Sequence, residues 1–257
     1  ALAGAQLPIA LTDSDLALVF DQQQALLQGN LKDRSGGFAD IHGLINWQNT
    51  DLLASLDIKG EQIGLRPQAG VNVKLSPNLK LSYEDKKLTI AGQIVLPYGR
   101  IKMKSLPSTA VQVSDDEVIV DASIPTKKSL PFNYLMNVKL VVKDDVIIDS
   151  FGLYSKVAGQ LTLKKAQNSP LLVVGDMNLL EGNYQAFSQD LHIKTGQIGF
   201  NGAIDKPYLN IKAIRNPATT ADGVIAGIKL TGPLETPQLE IYSEPCMDQA
   251  LTLTYLL

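Results

Sequence analysis

Catalysis and metal binding need several polar side chains that converge, and this 257-residue chain offers few sets with suitable spacing. The densest carboxylates are TDSD (12–15), SDDE (114–117) and KDD (143–145), which have the hard oxygens that calcium prefers. None is followed by the glycine and closing glutamate of an EF-hand loop, so each is expected to be a solvated turn. His42 and His192 fall on the polar side of alternating segments, with no second histidine or carboxylate at ligand spacing, and surface imidazoles are expected. Cys246 is the single cysteine, which rules out an intrachain disulfide and a cysteine-based zinc site. There is no G-x-S-x-G, H-E-x-x-H, C-x-x-C or Walker loop. GQIGFNG (196–202) has glycines three apart but sits within a hairpin-like stretch, where turn geometry is expected. The expectation is a protein without enzymatic activity, cofactor or metal.

The elements that carry these residues are legible in the hydrophobic pattern. Strict alternation runs through LALVF (16–20), ADIHGLINW (39–47), LTIAGQIVL (88–96), EVIVDASI (117–124), FNYLMNVKLVV (132–142), HIKTGQIGF (192–200), LNIKAI (209–214) and QLEIY (238–242). Period two sustained this far predicts many half-buried, mostly antiparallel strands. YEDKKL, VKDDVI, KTGQI, NGAIDKPY and TGPLETPQ are expected to be the turns between them. Residues 97–116, bracketed by Pro97 and Pro107, read as a long connection within one continuous segment spanning 1–257. The lysine pairs Lys86–Lys87, Lys127–Lys128 and Lys164–Lys165 fall at strand ends, where charge protects exposed edges. The last residues, MDQALTLTYLL, fit either a strand or a short C-terminal helix.

Composition narrows the function classes. The net charge of −3, from 23 basic and 26 acidic residues, provides no field for nucleic acid. No run of eighteen apolar residues suggests a membrane-spanning helix. The chain begins without Met, lacks a signal-peptide pattern and stops on LTLTYLL, as a piece of a longer protein would.

An apolar-x-Gly-x-apolar figure recurs as LQGNL, IHGLI, IAGQI, VVGDM and LTGPL. Aromatics are only 6% of the chain, so the inward faces carry aliphatic residues and glycine where a β-sandwich would hold large rings. Glycine within strands permits sharp bending and close approach to the backbone. Plain curvature over a packed core and an open aliphatic trough fit this pattern equally. In the second case some sixteen strands in series, about 4.8 Å apart, would line a trough roughly 75 Å long. Its natural occupant is hydrocarbon: at about 0.8 kcal/mol per buried CH₂, two sixteen-carbon tails represent on the order of 25 kcal/mol. The candidate lining residues are Ile90, Ile94, Leu96, Met136, Val138, Leu140, Val157, Leu161, Leu163, Val173, Met177, Leu179, Ile198, Phe200, Leu209 and Ile211. Residues 246–257 are expected to form a docking segment through Leu251, Leu253, Tyr255, Leu256 and Leu257, the most apolar stretch near either end, with folding back over the trough as the alternative.

GRIKMKSLPSTAVQVSDDEVIVD (99–121), VKLVVKDDVIIDSFGLYSKVAGQLTL (138–163), the run 175–215 and GIKLTGPLETPQLEIYSEP (227–245) resemble the C-terminal region of the TamB family. These are AsmA-like, inner-membrane-anchored subunits of the translocation and assembly module of Gram-negative bacteria. The resemblance implies an all-β, elongated, curved sheet forming an open hydrophobic groove (a β-taco) in the periplasm, with membrane anchoring by parts outside this chain. It implies phospholipid acyl chains as cargo moved between the inner and outer membranes, and the outer-membrane barrel protein TamA as partner. The same resemblance supports an alternative, an assembly factor for outer-membrane and autotransporter proteins acting with TamA. Two departures are visible: Val142–Lys143 stands before Asp144 where the family often has Leu-Gly, and family members continue past the equivalent of Tyr255–Leu256–Leu257.

Overall fold

The alternating segments form strands because side chains one residue apart must face opposite ways, so an apolar/polar alternation buries one side of a sheet and solvates the other. The computed structural model describes residues 9–47, 52–102, 134–150, 152–186, 189–215 and 223–256. Along the chain these form β1 (Leu11–Asp21), β2 (Gln24–Asp33), β3 (Phe38–Asn46), β4 (Leu53–Glu61), β5 (Ile63–Leu65), β6 (Val71–Glu84), β7 (Lys87–Ile101), β8 (Tyr134–Ser150), β9 (Leu153–Lys165), β10 (Leu172–Ala186), β11 (Gln189–Gly202), β12 (Tyr208–Arg215), β13 (Ile225–Pro233), β14 (Gln238–Glu244) and α1 (Gln249–Leu256). All fourteen strands belong to one sheet, arranged in chain order except that β5 branches off to pair only with β6. Among the described residues thirteen strands in series, at about 4.8 Å, span roughly 58 Å.

Every neighbouring pair is antiparallel except β7 and β8, which run parallel from Leu88 opposite Tyr134 to Ile101 opposite Ile148. A parallel pair needs a crossover, and the residues after Ile101 provide it. The expected connection therefore starts later than residue 97: Pro97 lies inside β7, where the register shifts between Leu96 and Gly99. EVIVDASI, SDDE, Lys127–Lys128 and the rest of the 97–116 connection beyond residue 102 lie outside the described residues.

YEDKKL is a tight hairpin, with Asp85 and Lys86 both at positive φ (50° and 59°) between Glu84 and Lys87, the backbone that a two-residue primed turn requires. NGAIDKPY and TGPLETPQ also join antiparallel neighbours. Two expected turns prove to be bulges within longer strands. VKDDVI lies inside β8, whose register against β9 slips between Val142 and Val146, and KTGQI lies inside β11 with a slip between Ile193 and Thr195. Polar residues that read as turn chemistry in sequence are accommodated at a bulge, where the extra residue leaves the ladder. GQIGFNG likewise lies in strand β11, and TDSD lies in β1, where the expected turns are absent.

No second sheet packs on this one among the described residues; apart from α1 and the β2–β5 corner, the elements touch their sheet neighbours. Curvature is compelled at the glycine notches. Gly92 and Gly175 have φ of +134° and +137°, and a Cβ at Gly175 would meet the carbonyl of Gln160 and come within 3.1 Å of Leu161 Cα. The neighbouring strand leans over the glycine, an approach that only a residue without Cβ permits.

One buried carboxylate ties an irregular corner together. Asp33, 6% exposed, accepts backbone N–H bonds from Ser35 and Gly37 (2.8 Å each), the Ser35 hydroxyl, and the N–H of Gly64 in β5. It thus fastens the β2–β3 turn to a strand that has only one ladder partner. Burial pushes the Asp33 carboxyl up, but the hydrogen bonds from Gly64, Gly37 and Ser35 outweigh it and hold the group below the usual carboxylate range.

Gly175→Ala is expected to lose about 1–3 kcal/mol through its left-handed backbone and the Gln160 carbonyl. Gly199→Ala, where the nearest atom to a new Cβ is 3.4 Å away, is expected to stay within about 0.5 kcal/mol. Chemical denaturation of both variants checks the contrast. Asp33→Ala is expected to lose about 1–3 kcal/mol by orphaning the N–H groups of Ser35, Gly37 and Gly64. Because the folded pKa is depressed, Asp33 contributes its stability above the unfolded value near about 3.9 and loses it as pH falls through the folded one. The gap between wild type and variant should therefore close in acid denaturation curves.

Candidate functional site

The strand registers set the apolar residues of different hairpins side by side on one face. Ile94 stands opposite Leu140, Leu140 opposite Leu161, Leu161 opposite Gly175 and Gly175 opposite Phe200. One row over, Leu96, Val142, Gly159, Met177, Ile198 and Leu209 follow one another from β7 to β12. Val138 lines up with Leu163 and Val173, Ile90 with Met136, and Val157 with Leu179. Ile211 continues the face beyond Gly196. All sixteen sequence-named residues share this face, and each is buried or half-buried. On the opposite face Asn137, Gln160, Asp176, Asn178 and Gln197 are exposed. In a single layer such burial comes from side chains covering one another across a curved sheet.

The face deepens toward the C-terminal end into an apolar chamber of about 750 Å³. Its walls come from six successive strands, β9 to β14, including Leu153, Leu191, Ile193, Ile228, Leu230 and Ile241. Of the sixteen named residues only Leu179 and Ile211 reach it; the others line the face leading toward it. The further wall residues belong to the same period-two runs, so the signal that could have found them was the alternation of LHI, GIKL and LEI.

Helix α1 closes one side of the chamber. Leu256 enters a buried cluster with Leu191, Ala213 and Ala226, and Tyr255 packs against it. Leu253 also lines the chamber, while Leu251 points outward and is 49% exposed; Leu257 lies outside the described residues. The latch is polar: Arg215 Nη1 donates to the Tyr255 carbonyl at 2.7 Å, and the buried Thr252 hydroxyl pairs with Ser243 Oγ at 3.1 Å. An eight-residue helix is too short to be stable alone, so its position depends on these contacts.

The opposite face is electrostatic. Lys156–Glu181 (2.8 Å) and Lys229–Glu240 (3.5 Å) bridge neighbouring strands, and Lys212–Glu244 (3.7 Å) reaches from β12 across β13 to β14, with both partners exposed in each pair. Tyr242 lies there too, its phenol pushed up to about 12 by burial and then by Glu244. Among the described residues no three of His, Cys, Asp and Glu come together as a metal site, and His42, His192 and Cys246 are separately exposed.

The sequence profile of the TamB C-terminal domain matches residues 28–257. The chain belongs to the TamB C-terminal domain family. Over 264 aligned positions it is 33% identical to the translocation and assembly module subunit TamB of Haemophilus influenzae, with 98% of this chain covered. The chain spans about a fifth (20%) of that relative's length. No helix among the described residues is long and apolar enough to cross a membrane.

Leu256→Ala is expected to release α1 locally, since a buried leucine truncation removes about 2–5 kcal/mol and the helix has little other support. Arg215→Ala, which removes the latch to the Tyr255 carbonyl, should act in the same direction by about 1–3 kcal/mol. Hydrogen exchange checks this: amides of residues 249–256 should exchange faster in both variants while those of β7 and β8 stay protected.

Proposed function

We propose that the chain is a lipid-conducting segment, whose continuous apolar face carries phospholipid acyl chains between membranes while headgroups stay in water. The observation that supports this reading is the register-aligned aliphatic face from β7 to β12, half-buried, with no second sheet over it among the described residues. A face of this length matches hydrocarbon, whose transfer from a bilayer requires continuous apolar cover. Family membership supports a place in the translocation and assembly module, in the periplasm of a Gram-negative bacterium, with membrane anchoring by other parts of the protein and TamA as partner. The exposed Leu251 and Leu253 of α1 are the contacts proposed for docking to that partner. Side chains of this face solvate the cargo and perform no covalent chemistry.

A second reading, assembly of outer-membrane protein strands, is favoured by β14, whose outer edge has no strand partner among the described residues and whose Leu239 is 63% exposed. Strand addition at such an edge is a common mode of peptide recognition.

A photo-crosslinking residue at Ile94 or Leu161 is expected to yield phospholipid adducts, and one at Gln160 or Asn178 is not, with mass spectrometry of the adducts as the readout. Equal labelling at the four positions would overturn the conduit. Adducts of unfolded barrel segments along β14, with no lipid on the face, would establish the second reading in its place. Leu161→Asp should block lipid adducts at Ile94 yet leave the chain folded by circular dichroism, because a charge on an open face remains in reach of water.

A further inference from the structure

Three adjacent strands bulge at the same level. The register slips between Lys74 and Ser76 in β6, between Leu96 and Gly99 in β7 and between Val142 and Val146 in β8. Together with the β2–β3 turn and β5, this line of bulges surrounds a polar hollow of about 870 Å³ at the edge of the sheet. Three of the chain's four arginines gather there: Arg34 and Arg66 line the hollow, and Arg100 lies beside Arg66 in the adjoining one.

The anionic groups facing the hollow are already engaged. The Asp33 carboxylate is taken up by N–H groups of Ser35, Gly37 and Gly64, and Asp145 by Arg100 Nη2 at 2.6 Å. Arg100 also donates to the carbonyls of Gly99 and Asp145, and its guanidinium lies over the Tyr98 ring at 4.3 Å, so it braces the bulge. Arg34, Arg66 and Lys74 line the hollow without an ion pair to any carboxylate among the described residues. Asn72 adds a neutral hydrogen-bonding group, while Lys74 Nζ donates to Gln62 Oε1 at 3.5 Å and the Ser35 hydroxyl is engaged by Asp33.

We infer that Arg34, Arg66 and Lys74 form a binding site for a phosphate anion. Two guanidinium forks offer paired N–H donors matched to phosphate oxygens, and the ammonium adds a point charge. The phosphate of a lipid headgroup and free phosphate share this chemistry. Only the lipid source rests on the conduit reading; the site itself stands on the placement of these three cations around one hollow.

The test titrates the 257-residue chain calorimetrically at low salt with inorganic phosphate and with glycerophosphoglycerol, a lipid headgroup without tails. Tighter binding of glycerophosphoglycerol assigns the site to a lipid headgroup; equal or tighter binding of phosphate assigns it to the free anion; no binding of either overturns it. The double variant Arg34→Gln/Arg66→Gln is expected to weaken binding by at least about tenfold, and Arg34→Lys/Arg66→Lys, which keeps the charge but not the fork, by about threefold or more. Lys164→Gln/Lys165→Gln, at the opposite ends of the strands, should leave binding unchanged. Equal losses in the arginine and lysine variants would show a diffuse field and overturn the site. Circular dichroism confirms that the variants are folded. Because the ligand has no acyl chain, intact binding without lipid adducts at Leu161 would sink the conduit alone, and lost binding with those adducts present would sink the phosphate site alone.

Discussion

A sheet with one aliphatic face and, among the described residues, no second layer to cover it is the constraint on which the rest of this structure depends. In a sandwich that face would be sealed by a partner sheet about 10 Å away. Here the side chains shelter one another, which requires the sheet to curve and neighbouring strands to lean over glycine. The left-handed backbones of Gly92 and Gly175 and the half-buried state of Ile94, Leu140 and Leu161 are two consequences of that geometry. Curvature turns a surface prone to aggregation into a concavity, and at the C-terminal end the concavity becomes a chamber walled by six strands.

The two faces divide the chemistry. Apolar side chains meet across β7 to β12 without an intervening charge in the central rows, while the ion pairs and the exposed amides sit on the other side. Exposed ion pairs contribute little to stability, so their main effect is to keep that side in water. Polar groups enter the fold proper only where regular pairing breaks down. Asp33 fastens the branch at β5, Arg100 braces the bulges of β7 and β8, and Arg215 with Thr252 holds α1. Each supplies hydrogen bonds to backbone or side-chain groups that a regular ladder does not use.

These irregular places coincide with the parts of the molecule that could interact selectively. The bulge line produces a cation-lined hollow, and the short helix closes one side of the apolar chamber. A uniform ladder offers the same surface at every strand, whereas a bulge or a terminal helix makes one strand differ from the next. The chain belongs to the TamB C-terminal domain family, and its long apolar face is bordered by a hollow lined with polar and charged side chains.

By itself, the sequence determined which segments alternate and which side of each is apolar. Period two specifies which side of each strand is apolar, and all sixteen named residues from Ile90 to Ile211 lie on a common face for that reason. It also supplied the family, whose profile matches residues 28–257. Tertiary structure alone decided which strands meet. The parallel pairing of β7 with β8, the bulges at VKDDVI and KTGQI, and the folding of LTLTYL as a helix against β13 and β14 depend on partners distant along the chain. The gathering of Arg34, Arg66 and Lys74 was equally hidden, because local alternation carries facing but not the long-range register that brings the β2–β3 turn, the β5–β6 link and the β6 bulge together.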